Sequence, residues 1–530
     1  MRLVNVSHTD CGATSEVNNI KGVAVCKYRG RFMKRFCSLL LVVVMLMGIS
    51  LSGLSVNAAQ PDNTGVVSDG NNDAETMVVP QIRVTTVDGK GVSLQKADGY
   101  VEATITITDT DSSVLTDNIL FKVRGNSTAN PAIAKKAFTI KFDSKKDVLN
   151  MCKAKKWSLL ANVFDPTLMR NYIAFDFAQK MELPFTSQQR YVELWVDNSY
   201  RGCYVLTEPV EEGSTRVDID IDSNDGMKDF LIELEMDRVE EDVSYFTTNY
   251  MRFAVKEPEE PNDEQLEYIS STIVDIIDVI KEGNQEEISK VIDIPSFTRY
   301  YLLNELFKTL DFNYSSVFFY YKDGVLYSGP AWDYDLAAGN TSASYSVVSK
   351  AAADPTGLFA SVRNIYWYLC SCDWFKNEIR ETYLQYYDYM YNITSTGGLI
   401  DTLNEDYGYI YDRNYSDAGW SPSRWWGNLQ MEPLDTFSGN VEYLRDWLYT
   451  RNVWMSNYYD LHAIAGLRGD VNGDGVVSIM DATLTQYQMA ELQSLDGNGL
   501  LCGDIDKNGT ISIMDTTDIQ RFLAQIITDL

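Results

Sequence analysis

The amino-acid sequence predicts an α+β fold: a β-rich N-terminal part, a helical C-terminal part, and a small α module at the end of the chain. Three observations carry this. Residues 81–145 alternate apolar and polar side chains in short runs broken by Gly and Asp, the period of half-buried strands. From residue 262 apolar side chains recur at three and four positions, the period of amphipathic helices. Beyond residue 466 one short acidic pattern occurs twice, at Asp470 and again at Asp504, which marks a repeat and a separate unit.

Taken in order, residues 1–58 read as an N-terminal extension and signal peptide. The export signal starts at Met33, the expected initiator: Lys34 and Arg35 precede an apolar stretch, and Val56-Asn57-Ala58 fits a small-residue cleavage site. Cleavage there leaves no stable membrane anchor and a secreted chain. Residues 59–80, rich in Gly, Asn and Asp, read as a flexible leader. The large domain is expected over 81–460. Its strands are "QIRVTTVDG", "YVEATITITDT", "NILFKVRGN" and "KAFTIKF", then 191–197 and 202–208 with "NSYR" as the hairpin turn. Helices are expected over 165–181 with Asp165 as N-cap, over 262–283, and over 295–310 with Pro295 in the first turn. A hairpin turning at "KDG" covers 317–333, and 355–460 is mostly helical and aromatic.

Composition narrows the chemistry. The net charge is −30, from 75 acids and 45 bases, which excludes nucleic acid as a partner because phosphate binding needs a basic face. The only histidines are His8 and His462. Ser-His-Asp and Cys-His catalysis and multi-histidine zinc sites are therefore excluded. Carboxylates, Lys or Arg, and metals held by oxygen remain. Beyond the signal, Cys152, Cys203, Cys370, Cys372 and Cys502 are too scattered for a disulfide framework.

"DVNGDGVVSIMD" (470–481) and "DIDKNGTISIMD" (504–515) offer oxygen ligands at loop positions 1, 3, 5, 9 and 12. In the first these are Asp470, Asn472, Asp474, Ser478 and Asp481; in the second, Asp504, Asp506, Asn508, Ser512 and Asp515. Position 7, Val476 or Thr510, would add a backbone carbonyl, and position 6 is Gly475 or Gly509. This is the EF-hand recipe for Ca²⁺, and it predicts two calcium sites. Asp rather than Glu ends each loop, and no clear helix precedes either. With those features, 466–530 resembles the type I dockerins, which plug enzymes into cellulosomes by binding cohesins. The resemblance implies a cohesin partner, contacted through loop positions 10 and 11. Here they are Ile479-Met480 and Ile513-Met514, identical pairs, so either repeat can present the same face. Core packing is the other reading of those four side chains.

In "GPAWDYDLAAGN" (329–340), Asp333 and Asp335 stand two positions apart after a strand, and share a face if the strand continues. Asp311, in "FKTLDFN", would neighbour Asp333 if 317–333 folds as a hairpin. Arg124, Lys136 and Lys141 come from the strand-rich half. Acids that hold Mg²⁺ opposite cations that balance phosphates make the constellation of phosphoryl transfer. Paired acids also fit a glycosidase couple, and any one of these residues can be merely structural.

"RGNST…KKAFTIKF", "KKWSLLANVFDPTLMRN", "YVELWVDNSYRGCYVLTE", "NELFKTLDFN…VFFYYKDG" and "GPAWDYDLAAGN" follow one another in this order. Together, over about 80–345, they resemble the CotH family of spore-coat kinases, which have an atypical protein-kinase-like fold. The resemblance implies Asp311 as catalytic base and Asp333 as Mg²⁺ ligand, with Asp335 and Asn313 in support of the metal. It implies Lys136 or Lys141 at the ATP phosphates, without choosing between them. Ordinary kinases carry Asn five residues after the base; this chain has Ser316 there. The expectation is a secreted, cellulosome-associated protein whose large domain transfers phosphate from ATP to protein Ser or Thr. A non-catalytic structural or adhesion module, and a glycan-active component of polysaccharide catabolism, remain as alternatives.

Overall fold

The computed structural model describes residues 79–221, 228–236, 243–248, 250–427 and 429–530. The expected signal peptide and all but the end of the leader lie outside the described residues. In the strand-rich part, β1 (Gln81–Thr86), β2 (Val101–Thr108), β3 (Val114–Arg124), β4 (Ala137–Asp147), β5 (Lys153–Leu160), β6 (Gln189–Val196) and β7 (Ser199–Thr207) close into a barrel. Its order is β1-β2-β3-β4-β5-β7-β6, and the parallel pair β1–β6 completes it. Alternation decides what points in: Ile105, Phe121, Ile140, Trp157, Leu194 and Leu206 fill the interior. The opposite face of β3 therefore carries Lys122 and Arg124 outward.

The β6–β7 turn falls on Asp197-Asn198, not on "NSYR". Both have positive φ, 46° and 63°, the backbone of a tight hairpin turn that Asp and Asn tolerate. Strand β5 was not foreseen, because its lysines mask the alternation in "KAKKWSLL".

A second sheet stands apart from the barrel. It contains β8 (Phe230–Leu234), β9 (Tyr245–Thr248), β10 (Met251–Glu257), β11 (Val317–Lys322) and β12 (Val325–Ser328), in the order β12-β11-β8-β10-β9. The β11–β12 hairpin turns at Asp323-Gly324 as expected. Strands β8 to β10 escaped the sequence reading, since each is short.

Helices pack on that sheet and build the largest core. They are α1 (Arg170–Lys180), α2 (Asp263–Glu282), α3 (Ile294–Phe307), α4 (Asp373–Gln385), α5 (Tyr387–Thr394), α6 (Leu399–Ser416) and α7 (Phe437–Tyr458). α1 starts five residues later than expected. Met169, not Asp165, is its N-cap residue, but the Asp165 carboxylate still accepts the first helical N–H, from Arg170 at 2.8 Å. It also accepts from Thr167 N and Oγ1 at 2.9 and 2.7 Å and pairs with the Arg170 guanidinium at 2.6 Å. α2 is capped by Asn262 and α3 by Asp293, with Pro295 in its first turn.

A short helix, α8 (Leu461–Ala465), leads out of the large domain into the C-terminal module, which contains α9 (Ile479–Met489), α10 (Gly497–Gly503) and α11 (Ile513–Leu523). Short helices α8 and α10 lead toward the two acidic loops, where the sequence gave no clear sign of one. α9 and α11 pack together through Val471, Ala482, Ile505 and Ile519, with Thr485 and Thr516 hydroxyls 2.8 Å apart. No helix among the described residues is long and apolar enough to cross a membrane.

Candidate functional site

A cleft opens between the barrel and the second sheet. Arg124, Asp311, Asp333 and Asp335 all line it, although they come from three separate stretches of chain. Each is placed by local rules. Arg124 ends β3 on its outward face, opposite Ala137 of β4. The chain then turns at Gly125, φ +89°, where a Cβ would strike the Thr128 hydroxyl at 2.1 Å; only glycine allows both.

Asp311 sits on a 3-10 turn, Leu310–Asn313, just beyond α3. That turn is pinned to the acid segment: Leu310 N donates to Leu336 O at 3.2 Å, and Ala338 N to Phe307 O at 2.6 Å. α1 holds the same segment from the other side. Asn171 Oδ1 accepts from Tyr334 N at 2.6 Å, between the two acids. Arg170, buried with Asp165, donates to the carbonyls of Ala337 and Ala338 at 3.0 and 3.3 Å. β12 ends at Ser328, so Asp333 and Asp335 do not extend a strand as their spacing suggested. Asp333 lies instead in the left-handed region at φ 67°, a conformation non-glycine residues adopt rarely.

The cleft concentrates negative charge. Burial pushes the Asp335 carboxyl well above its ordinary range, and the charges of Asp333, Asp311 and Asp165 push it the same way. A divalent cation among them would reverse that cost. Burial pulls the Arg124 guanidinium down to about 10, opposed by Asp333, so it stays charged at neutral pH. It lies 5.1 Å from the Trp332 ring centroid, and its Nη1 is buried with no hydrogen-bond partner among the described residues. Such a donor suits a ligand oxygen. Ser316 donates to Asp333 Oδ2 at 3.3 Å and its backbone N to Glu233 at 3.0 Å.

Three expected participants lie elsewhere. Asn313 is not among the residues lining the cleft. The Lys136 ammonium is spent on the carbonyls of Ala129 and Asn130, at 3.3 and 2.6 Å. Lys141 points outward from the barrel, 5.7 Å from the Tyr100 ring. The cleft has another cation, which sequence reasoning missed: Lys256, paired with Glu233 at 3.3 Å. Lys256 stands where the β8–β10 register slips between Val255 and Glu257. The alternation in "MRFAVKE" was the available signal, and its shortness hid it.

The two C-terminal loops fold alike. Asp470 accepts from the N–H groups of Asp474 and Gly475, and Asp504 from those of Asn508 and Gly509. Asp481 accepts from Val471, Asn472 and Ser478, and Asp515 from Ile505, Asp506 and Ser512. In the second loop, carboxylate oxygens of Asp504, Asp506 and Asp515 lie within 4.8 Å of one another. Burial, with Asp515 and Asp504 close by, raises the Asp506 carboxyl above its ordinary range. Position 7 of the loops is Val476 and Thr510, and Asn472 and Asp474 sit on the open rim of the first. The Ile479-Met480 and Ile513-Met514 pairs are 54–66% exposed, so they are not core.

Fold and sites together define a two-part protein: a mixed α+β domain with an acidic cleft, and a module of paired acidic loops. Comparison with protein families agrees. The CotH kinase protein family matches residues 121–455, and the dockerin type I domain matches 468–524. The chain belongs to the CotH kinase protein family and carries a C-terminal type I dockerin domain. Type I dockerins bind Ca²⁺ and attach their chains to cohesins in cellulosome-type assemblies. No match is found among the curated proteins.

Proposed function

We propose that the cleft transfers the γ-phosphoryl group of ATP to a Ser or Thr hydroxyl of a protein, and that the dockerin holds this activity on an extracellular scaffold. One observation carries the reading: three acids and a guanidinium whose buried Nη1 has no hydrogen-bond partner among the described residues, distant in sequence, line one cleft. In this reading Asp311 takes the proton of the attacking hydroxyl. The hydroxyl oxygen bonds to the γ-phosphorus as the bond to the β–γ bridging oxygen breaks, and ADP leaves. Asp333 and Asp335 would hold Mg²⁺, which neutralises phosphate charge when bound. Ser316 orients Asp333 through its hydroxyl. Arg124 binds a phosphate oxygen, and Lys256 takes the place assigned at first to Lys136 or Lys141.

In the dockerin, the twelve loop positions named above supply two Ca²⁺ sites, and Ile479-Met480 and Ile513-Met514 supply equivalent cohesin-contacting faces. Their exposure and their identity in the two repeats support this. Export through the signal at 33–58 follows from the same assembly, because cohesin scaffolds work outside the cell.

The test is labelled ATP with Mg²⁺ and a mixture of candidate protein acceptors. Phosphoprotein should form, and Asp333→Ala should lower its formation at least a thousandfold. Failure to bind nucleotide at millimolar ATP would leave a display or adhesion role. Release of reducing sugar from plant polysaccharide would point to a glycan-active cleft.

A further inference from the structure

The two calcium loops share a sequence pattern but not surroundings. The first faces solvent. A Cβ on Gly475 would meet nothing within 4 Å, and every hydrogen bond to loop 470–481 found among the described residues comes from within the module. The second is seated on the large domain. Tyr449 of α7 donates its hydroxyl proton to Asn508 O at 2.7 Å, and Asn457, two turns on, donates to Lys507 O at 3.2 Å. A Cβ on Gly509 would stand 2.2 Å from Val453 Cγ2, between those donors on the same helix. His462 of α8 brings Nε2 to 3.4 Å from Asp504 Oδ2.

Backbone conformation sharpens the contrast. Loop position 4 is left-handed in both copies, Gly473 at φ 68° and Lys507 at φ 59°. Glycine adopts that freely and lysine does not. The second loop therefore holds a costly conformation at the residue whose carbonyl α7 grips.

We infer that the second calcium loop is also a joint: filled, it seats the dockerin on α7, and the seat in turn tightens calcium in that loop. The inference rests on the calcium reading of the loops given above. Metal fixes the carbonyls of Lys507 and Asn508 in the positions that Asn457 and Tyr449 reach. Reciprocity follows from thermodynamic linkage: whatever calcium adds to docking, docking adds to calcium affinity. The first loop has no such coupling. Both apolar recognition pairs stay exposed, so the joint and a cohesin can be engaged together. With Leu500, Leu501 and Ile511 of the module packed into the large core, the joint adds to what fixes how the cleft is presented on a scaffold.

Two pairs of variants of the full chain test this, read by calcium titration against a chromophoric chelator and by small-angle X-ray scattering in saturating calcium. Tyr449→Phe with Asn457→Ala changes no residue of either loop or of the cleft, and removes only the two donors to the Lys507 and Asn508 carbonyls. It should weaken one of two calcium sites about fivefold or more, leave the other unchanged, and enlarge the radius of gyration. Gly475→Ala and Gly509→Ala impose the same backbone strain, since the two φ angles are +88° and +90°, but only Gly509→Ala meets Val453. Gly509→Ala should expand the protein and Gly475→Ala should not. Equal expansion by both, or unchanged calcium constants in the α7 double variant, would overturn the joint while leaving calcium binding intact. A wild-type chain that binds no calcium would overturn the calcium reading and the joint together.

Discussion

The molecule gathers carboxylates in two places, and the two are built in opposite ways. Each dockerin loop assembles its acids locally: its terminal acids accept backbone N–H bonds from residues at most ten positions away. The cleft is assembled from afar. Asp311 and Asp335 meet only because α1 and the 3-10 turn pin the 333–338 segment between them. A locally built site keeps its ligand set when distant supports change, even where its affinity shifts; an assembled site is as stable as its supports.

The largest effect is calcium removal. Chelation should weaken cohesin binding by a hundredfold or more in a pull-down or titration, while nucleotide affinity of the cleft stays within twofold. A parallel loss at the cleft would break the contrast between the two sites.

Next is the support at Arg170. Arg170→Ala leaves Asp165 buried and uncompensated, which should cost about 3–5 kcal/mol in chemical unfolding. Calcium binding by the loops should persist under conditions where the large domain stays folded. Asn171→Ala is milder. It removes the acceptor for Tyr334 N, costs about 1–3 kcal/mol, and should weaken nucleotide binding more than it weakens folding, since Tyr334 lies between the two acids.

The smallest effect is a pH dependence. Burial lowers the ammonium groups of Lys135 and Lys308 to about 7. In the unfolded chain both titrate near 10.5, so from pH 7 upward the unfolded state binds more protons. Stability of the large domain should therefore rise between pH 7 and 8.5. Denaturant midpoints that fall over that window would contradict it.

The same difference explains what the sequence disclosed. The dockerin was legible from its repeat, since a loop of twelve residues carries its pattern in its spacing. The barrel strands with clean alternation and the capped helices α2 and α3 were legible too. Strands β8 to β10 were not, because runs of four to seven residues are too short to show a period, and Lys256 went with them. Lys136 illustrates a further limit. Its charge suggested a phosphate ligand, yet two backbone carbonyls claim it, and only tertiary structure decides such a competition. That Asp333 and Asp335 share the cleft was foreseen for the wrong reason: a left-handed turn, not a continuing strand, presents them.

The most direct test of the central claim is a calorimetric titration of the full chain with ATP, in calcium, with and without Mg²⁺. The convergence of Asp311, Asp333, Asp335 and Arg124 predicts saturable binding that requires Mg²⁺, that weakens tenfold or more in Arg124→Ala, and that is lost in Asp333→Ala. Absence of binding at millimolar ATP, or binding indifferent to Mg²⁺ and to Asp333, would contradict it.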